Sequence, residues 1–159
     1  MERGTNNTKF EQFTARFSDT GIDALKIGRN YFLAEDRLKK LKEGVNRDPF
    51  SLGLFLGEER GEFHPSPAMI DVISRLPDSE NRKIFVNGKA EWLFLCGRNI
   101  LEDSIIKNPR NIKDGPVLIQ NEKGENLGYG MFMKQGRDLV IKNFLDKGKY
   151  LRMNERKRR

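Results

Sequence analysis

The chain has 159 residues, of which 33% are charged, and its formal net charge at pH 7 is +7. This length allows one ordinary core or two small ones and excludes a third independent domain. No run reaches the roughly 18 apolar residues that a membrane-spanning helix needs, and the N-terminus lacks the apolar stretch of a secretory signal. We therefore expect a cytoplasmic protein with no membrane contact.

The chain has one cysteine and one histidine, which leaves too few ligands for a Cys/His zinc cluster and no partner for an internal disulfide. Cys96 lies in the apolar run WLFLC, so we expect a core residue and not a reactive thiol. His64 precedes Pro65 and is predicted to lie in a loop, not to act as a catalytic base. We expect no metal, no cofactor and no catalytic residue.

The charge is distributed unevenly along the chain. Residues 1–82 carry 13 Lys/Arg and 14 Asp/Glu, whereas residues 83–159 carry 17 and 9, so the positive excess lies in the second part. This asymmetry predicts a polyanion-binding part attached to a near-neutral one. The alternative is an ordinary solvated surface with a frayed basic tail, because residues 152–159 contribute half of the excess.

The first part begins with an amphipathic helix, predicted over residues 8–17 and capped by Asn7 or Thr8. Its inward face consists of three phenylalanines at helical spacing, Phe10, Phe13 and Phe17. The short aromatic run at residues 30–34 is typical of a strand. A second helix is predicted over residues 34–44, with Leu38 and Leu41 facing inward.

Residues 50–57, FSLGLFLG, are apolar on both faces and predict a central buried strand, after which GEERGEF turns the chain. A third helix follows, with Ser66 as its cap, Pro67 in its first turn, and Ile70 and Ile73 facing inward. The order helix, strand, helix, strand, helix predicts an α/β unit over residues 1–82. The polar segment 77–83 is interpreted as the domain boundary.

The second part changes to short β-like segments. KIFV predicts a strand and AEWLFLC a helix, and VLIQ and NLGYGMF predict a hairpin within a small barrel. Gly128 and Gly130 leave one face of the second hairpin strand clear, which allows another backbone to come close. That backbone could belong to a bent strand or packed helix of the barrel itself, or to RNA.

Three blocks in this part, FLCGRNILEDSI, KDGPVLIQNEKGENLGYGMF and GKYLRM, together resemble a PUA domain, a small mixed β-barrel that binds structured RNA. The resemblance implies an α+β protein, with an α/β pre-PUA domain over residues 1–82 and a PUA barrel over residues 83–152. Residues 153–159 are expected to form a disordered basic tail.

Residues 25–152 also resemble, in the order of their motifs, the Nip-seven (nuclear import seven) family of large-subunit ribosome-biogenesis factors. Family members lack catalytic activity and bind RNA in pre-ribosomal particles. The chain departs from the family in two places: the basic loop between the last two barrel strands is reduced to MKQGRD, and the tail matches no family motif. A compact chain of this kind suggests an archaeal source.

The resemblance implies that the turn after the first barrel helix faces RNA, and cations in the neighbouring loops are expected to extend one rigid binding face. Arg98 is predicted to make a directional contact and Lys107 a phosphate contact, because arginine can bridge two acceptors whereas lysine acts as a point charge. The complete predicted set is Lys89, Arg98, Asn99, Lys107, Arg110, Lys134 and Arg137. Each of these could instead be an ordinary solvated side chain.

We therefore expect a monomeric, non-catalytic protein that binds structured RNA, with rRNA as the expected partner. The near-neutral first part is expected to contact an assembly factor or a ribosomal protein. The alternatives are a PUA-containing factor that acts on tRNA or mRNA, and an accessory subunit of an RNA-modifying enzyme. A catalytic role is not expected, because 82 residues are too few for a modifying domain and no Gly-rich cofactor loop follows a strand.

Overall fold

The computed structural model describes residues 8–110, 112–149 and 152–153. The α-helices in this part of the chain are α1 (Lys9–Thr14), α2 (Asp36–Glu43), α3 (Pro67–Ser74) and α4 (Gly88–Leu95). The first strands are β1 (Leu25–Ile27), β2 (Asn30–Leu33), β3 (Leu54–Arg60) and β4 (Glu62–Pro65). The later strands are β5 (Lys83–Val86), β6 (Ile100–Leu101), β7 (Ile105–Lys107), β8 (Gly115–Gln120), β9 (Asn126–Gln135) and β10 (Asp138–Asp146).

The first part forms a four-stranded antiparallel sheet in the order β1-β2-β3-β4, against which α1 and α3 pack. α1 ends at Thr14 and is shorter than the helix predicted over residues 8–17, but the three phenylalanines are buried as predicted. The Phe10 ring stacks on Tyr31, with ring centres 4.5 Å apart. The Thr8 and Glu11 side chains form a reciprocal capping box at the start of α1. Ser66 caps α3 as predicted, and Ile70 and Ile73 are fully buried.

Two predictions about the first part of the chain are wrong in part. β3 is an inner strand of the sheet and its Leu56 is fully buried, as predicted, but the strand starts only at Leu54, and the side chains of Phe50, Leu54 and Phe55 are exposed. Leu41 of α2 is also exposed, and none of the residues of this helix is buried. The short strands β1 and β4 were not predicted, because each is too short to show a clear alternation of apolar and polar residues.

The second part forms a six-stranded sheet in the order β6-β10-β9-β8-β5-β7. The two edge strands β6 and β7 follow each other in the chain, separated only by the 3₁₀ turn Glu102–Ser104. The sheet therefore curls into a nearly closed barrel. Phe94 and Ala90 of α4 belong to the core inside it, together with Ile84, Phe132 and Ile141.

Gly128 and Gly130 lie against the barrel's own backbone. An ideal Cβ at Gly128 would come within 1.9 Å of the Leu145 carbonyl oxygen, and one at Gly130 within 2.4 Å of the Lys142 carbonyl oxygen. Both neighbours belong to β10, which has a bulge between Asn143 and Leu145. The interpretation as a bent barrel strand is therefore correct, and both glycines are buried away from any RNA.

The two parts share an apolar contact surface. Leu118 and Leu145 from the barrel belong to the same buried cluster as the α1 phenylalanines, and Tyr129 packs against it. The expected linker is a 3₁₀ helix, Pro77–Arg82, in which Ser79 is completely buried. The proposed boundary between residues 82 and 83 stays a prediction, and residues 154–159 of the expected tail lie outside the described residues.

The two residues with special side-chain chemistry differ from expectation. Cys96 is exposed and not part of the core, because α4 turns only residues such as Phe94 toward the barrel interior. His64 lies in β4 and not in a loop. Within the described ranges, no helix has the length and apolar character needed to cross a membrane.

Candidate nucleic-acid interface

The chain direction in each strand defines two ends of the barrel. β5, β8 and β10 run in one direction, and β6, β7 and β9 run in the opposite one. The β9–β10 turn and the loop from β7 to β8 therefore lie at the same end, which we call the hairpin end. Helix α4 connects the close of β5 to the start of β6 and lies at the other end, which we call the helix end.

Four of the seven predicted residues lie at the hairpin end. Arg137 is in the β9–β10 turn, Lys134 is near the end of β9, and Arg110 is in the loop after β7; all three are exposed. Lys107 ends β7, and its Nζ lies 5.5 Å from the centre of the Phe85 ring. In the described part of the chain, no carboxylate lies within 4.0 Å of these four cations, so their charges are available to an anion.

Arg82 fixes the backbone beside this group and was missed by the sequence analysis. Its guanidinium donates to the carbonyl oxygens of Pro116 at 2.6 and 2.8 Å and of Lys113 at 3.0 Å. Burial, and after it the like charge of Arg16, lowers the pKa of Arg82 from its ordinary value. Arg82 therefore holds the loop before β8 in place. Its position at the predicted boundary offered no signal of this role.

The other three predicted residues lie at the helix end. Lys89 is on α4, and Arg98 and Asn99 form the turn between α4 and β6. The Asn143 amide N–H donates to Asn99 Oδ1 at 3.0 Å, and the Asn143 side chain donates to the Phe94 carbonyl at 2.8 Å. The Asn99 side chain thus holds the turn against β10.

The predicted residues therefore divide into two groups at opposite ends of the barrel, and the expectation of a single cationic face stays a prediction. The side chain of Asn143 binds the turn that contains Arg98. Asn143 is five residues along β10 from Asp138, which lies at the hairpin. At the rise of an extended strand, the turn of Arg98 is therefore about 16 Å from the hairpin. Sequence reasoning could not place the two groups, because their separation follows from the strand directions in the closed sheet. The hairpin end is the denser group of free cations, and the binding role of each residue stays a prediction.

No metal centre accompanies these cations: the described residues contain no cluster of three or more His, Cys, Asp or Glu side chains that could hold an ion.

Comparison with known proteins gives one match confined to the second part of the chain and longer matches that extend into the first part. Residues 82–155 match the model of the UPF0113 PUA domain family. A UPF0113 protein of the archaeon Aeropyrum pernix is 33% identical over 116 residues, which span 70% of this chain and 64% of that protein. The solved structure of a conserved PUA domain protein from Thermoplasma acidophilum is also similar, with 20% sequence identity and a TM-score of 0.42. The aligned region covers 57% of this chain and 64% of that protein.

The predicted α+β class with a PUA barrel in the second part is confirmed by the family-model match and by the six-stranded sheet. PUA domains as a class bind RNA. The descriptions given above do not name the Nip-seven family, so that resemblance stays a prediction.

Proposed function

We propose that this chain is a non-catalytic, cytoplasmic RNA-binding protein that acts in biogenesis of the large ribosomal subunit by binding structured rRNA. The match of residues 82–155 to a PUA domain model carries the RNA-binding part of the proposal. The excess of Lys and Arg in residues 83–159 and the four free cations at the hairpin end support it. The ribosomal part depends on the resemblance of residues 25–152 to the Nip-seven family.

Charge attraction explains how the hairpin end would hold RNA. Lys107, Arg110, Lys134 and Arg137 would contact phosphates and release the counterions condensed on the RNA. A-form RNA presents 2′-hydroxyls in a wide, shallow minor groove and conceals the base edges of its major groove. Cations fixed on a rigid barrel would therefore recognise the shape of folded RNA more readily than its sequence.

Removing two of these cations tests the interface. For Lys134→Ala with Arg137→Ala, we expect the affinity for transcribed fragments of large-subunit rRNA to fall about tenfold, and the salt dependence to weaken by about one unit of slope per lost phosphate contact. Fluorescence anisotropy over a salt series measures both. Lys40→Ala with Arg47→Ala is the matched control, because it removes two exposed cations from the first part of the chain.

The same titration distinguishes the two ends of the barrel. Lys89→Ala with Arg98→Ala is expected to have the smaller effect. A larger effect from this pair would show that the helix end is the interface. An affinity independent of salt would exclude the electrostatic mechanism. Crosslinking in cells separates the RNA classes, because contacts concentrated on tRNA or mRNA would favour the alternative functions.

We also propose that the first part of the chain binds a protein of the ribosomal assembly. Residues 41–55 carry five exposed apolar side chains: Leu41, Val45, Phe50, Leu54 and Phe55. Leu41 and Leu54 line one shallow groove together with Leu33 and Leu38, and we call the exposed apolar surface of this segment the apolar face. Phe50 is 99% exposed. Exposed apolar side chains concentrated in one segment are typical of a protein contact surface.

Substitution of Phe50 tests this second contact. In pull-downs from nuclease-treated native extract, we expect ribosomal or assembly proteins recovered by the wild type to be lost with Phe50→Ser and retained with Trp92→Ser, a control at another exposed aromatic residue. Recovery of proteins only while RNA is intact would contradict the proposal. Concentration-dependent dimerisation in sedimentation, abolished by Phe50→Ser, would instead assign the face to self-association.

A further inference from the structure

A groove of about 450 Å³ lies between the first part of the chain and the outer surface of the barrel. One wall is formed by α1 and the turn after it, another by β4, and the third by Tyr129, Met131 and Phe144 of β9 and β10. This volume is within the range of about 300 to 1,000 Å³ that is usual for small-molecule sites. The groove exists only where the two parts meet, so neither part alone could form it.

An exposed aromatic ring lies at the barrel side of the groove. Phe144 is 54% exposed, and its ring centre is 5.9 Å from that of Tyr129 at an interplanar angle of 36°. The bulge in β10 leaves Phe144 outside while the next residue, Leu145, packs into the shared core. Burial raises the pKa of Tyr129, so its phenol stays neutral at physiological pH. The two rings offer an apolar, uncharged stacking surface.

Positive charge borders this surface. Arg16 is exposed, and its Nη2 lies 4.0 Å from the Met131 sulfur. Lys142 is exposed and is paired with Met131 across the β9–β10 ladder. Neither Arg16 nor Lys142 has a carboxylate within 4.0 Å in the part of the chain that the structure describes.

Arg82 is a second guanidinium close enough to Arg16 to feel its charge: burial, and after it the like charge of Arg16, lowers the pKa of Arg82. Like charges that approach without a counter-ion repel each other, and a bound anion would relieve this repulsion. The only acidic residue that lines the groove, among those described, is Glu62, and its carboxylate pairs with Lys9 at 3.1 Å.

We propose that this groove holds one unpaired nucleotide of a bound RNA strand, with its base against Phe144 and its phosphate at Arg16. This inference rests on the proposed RNA-binding function and adds a second contact, on the side of the barrel. An exposed π face beside uncompensated cations matches the combination by which proteins hold single-stranded nucleic acid. A neutral apolar peptide would leave the cations without a partner, so the charge favours a nucleotide.

The probe that tests the groove is a uridine hexanucleotide. We expect Phe144→Ala to weaken its binding about tenfold, because base stacking on an aromatic side chain is lost. Phe144→Leu retains the apolar surface without the π face and should weaken binding to a similar degree. Arg16→Gln should also weaken binding and reduce the salt dependence. Trp92→Ala is the control, since Trp92 is another exposed aromatic residue, on α4 at the helix end.

Photocrosslinking locates the contact independently of affinity. With 5-bromouridine in the hexanucleotide, crosslinked peptides are expected to contain Tyr129, Met131 or Phe144. The groove proposal would be overturned if Phe144→Ala did not change hexanucleotide binding and the crosslinks lay elsewhere. If the wild type still bound structured rRNA normally, the proposed function would stand. Failure of the wild type to bind either RNA would overturn both.

Discussion

Replacing Gly128 with alanine is expected to lower the free energy of unfolding by about 4 kcal/mol. Two costs add at this position. Gly128 has φ = +153°, a conformation that residues with a Cβ rarely adopt, and the new methyl group would lie 1.9 Å from the Leu145 carbonyl oxygen. This oxygen belongs to the backbone of β10, so it cannot move aside without disturbing the β9–β10 ladder. Urea denaturation followed by circular dichroism measures the loss.

Gly124→Ala separates the two costs. Gly124 lies at the tip of the β8–β9 hairpin with φ = +79°, and a Cβ there would meet nothing within 4 Å. This variant should lose only about 1 to 2 kcal/mol, the usual cost of a left-handed conformation for a residue with a side chain. Equal losses in the two variants would show that β10 does not come as close to Gly128 as the structure indicates.

Replacing Arg152 with methionine is expected to lower the free energy of unfolding by about 2 to 3 kcal/mol. Its guanidinium makes two parallel hydrogen bonds of 2.9 Å with the Asp146 carboxylate, whose side chain is only 4% exposed. Arg152 also donates to the Leu95 carbonyl at the end of α4. The hydrogen bond with Asp146 raises the pKa of Arg152, so the guanidinium stays charged. The substitution removes both Arg152 donors from a buried carboxylate.

Lys39→Met is the matched control for this ion pair, because Lys39 contacts Asp23, whose side chain is 88% exposed. Exposed pairs contribute about 0 to 1 kcal/mol, so this variant should lose little stability. Adding Asp146→Leu to Arg152→Met should recover part of the loss, since no unpaired charge then stays buried. If Arg152→Met alone were as stable as Lys39→Met, water would have to replace the arginine at Asp146.

The elements that were predicted correctly carry strong local signals. Phe10 and Phe13 repeat at helical spacing behind a Thr8 cap, and Ser66 with Pro67 marks the start of α3. A turn separates VLIQ from NLGYGMF, and these two segments form the β8–β9 hairpin. In each case the interactions that define the element join residues close in sequence, so the pattern of residue types was sufficient.

The predictions that failed concern which side of an element is covered. Phe50, Leu54 and Leu41 were assigned to the core because they are apolar, but their side chains are exposed, whereas Leu56 of the same segment is fully buried. Cys96 was assigned to the core for the same reason and lies at an exposed helix end. Apolar residue type favours burial without supplying a partner surface, and about half or more of a folded surface is itself apolar.

The features of the candidate site also fall into those predicted from the sequence and those visible only in the structure. The charge asymmetry and the PUA-like motifs were readable from the residues alone, as was the basic character of Lys107, Lys134 and Arg137. The separation of Arg98 from these residues was not, because it depends on strand directions that only the assembled barrel defines. The contribution of Arg16 and Phe144 was equally hidden, since they are 128 residues apart and line one groove only where the two parts meet.

The amino-acid sequence alone determined the helices, the β8–β9 hairpin, the PUA-like motifs and the half of the chain that carries the positive charge. These follow from spacing, capping and turn chemistry among neighbouring residues, whose energies depend little on the rest of the fold. Only the tertiary structure decided which cations share a surface, which apolar side chains stay exposed and where a groove opens. Those outcomes depend on contacts between residues distant in the chain, which exist only after the sheets have closed and packed.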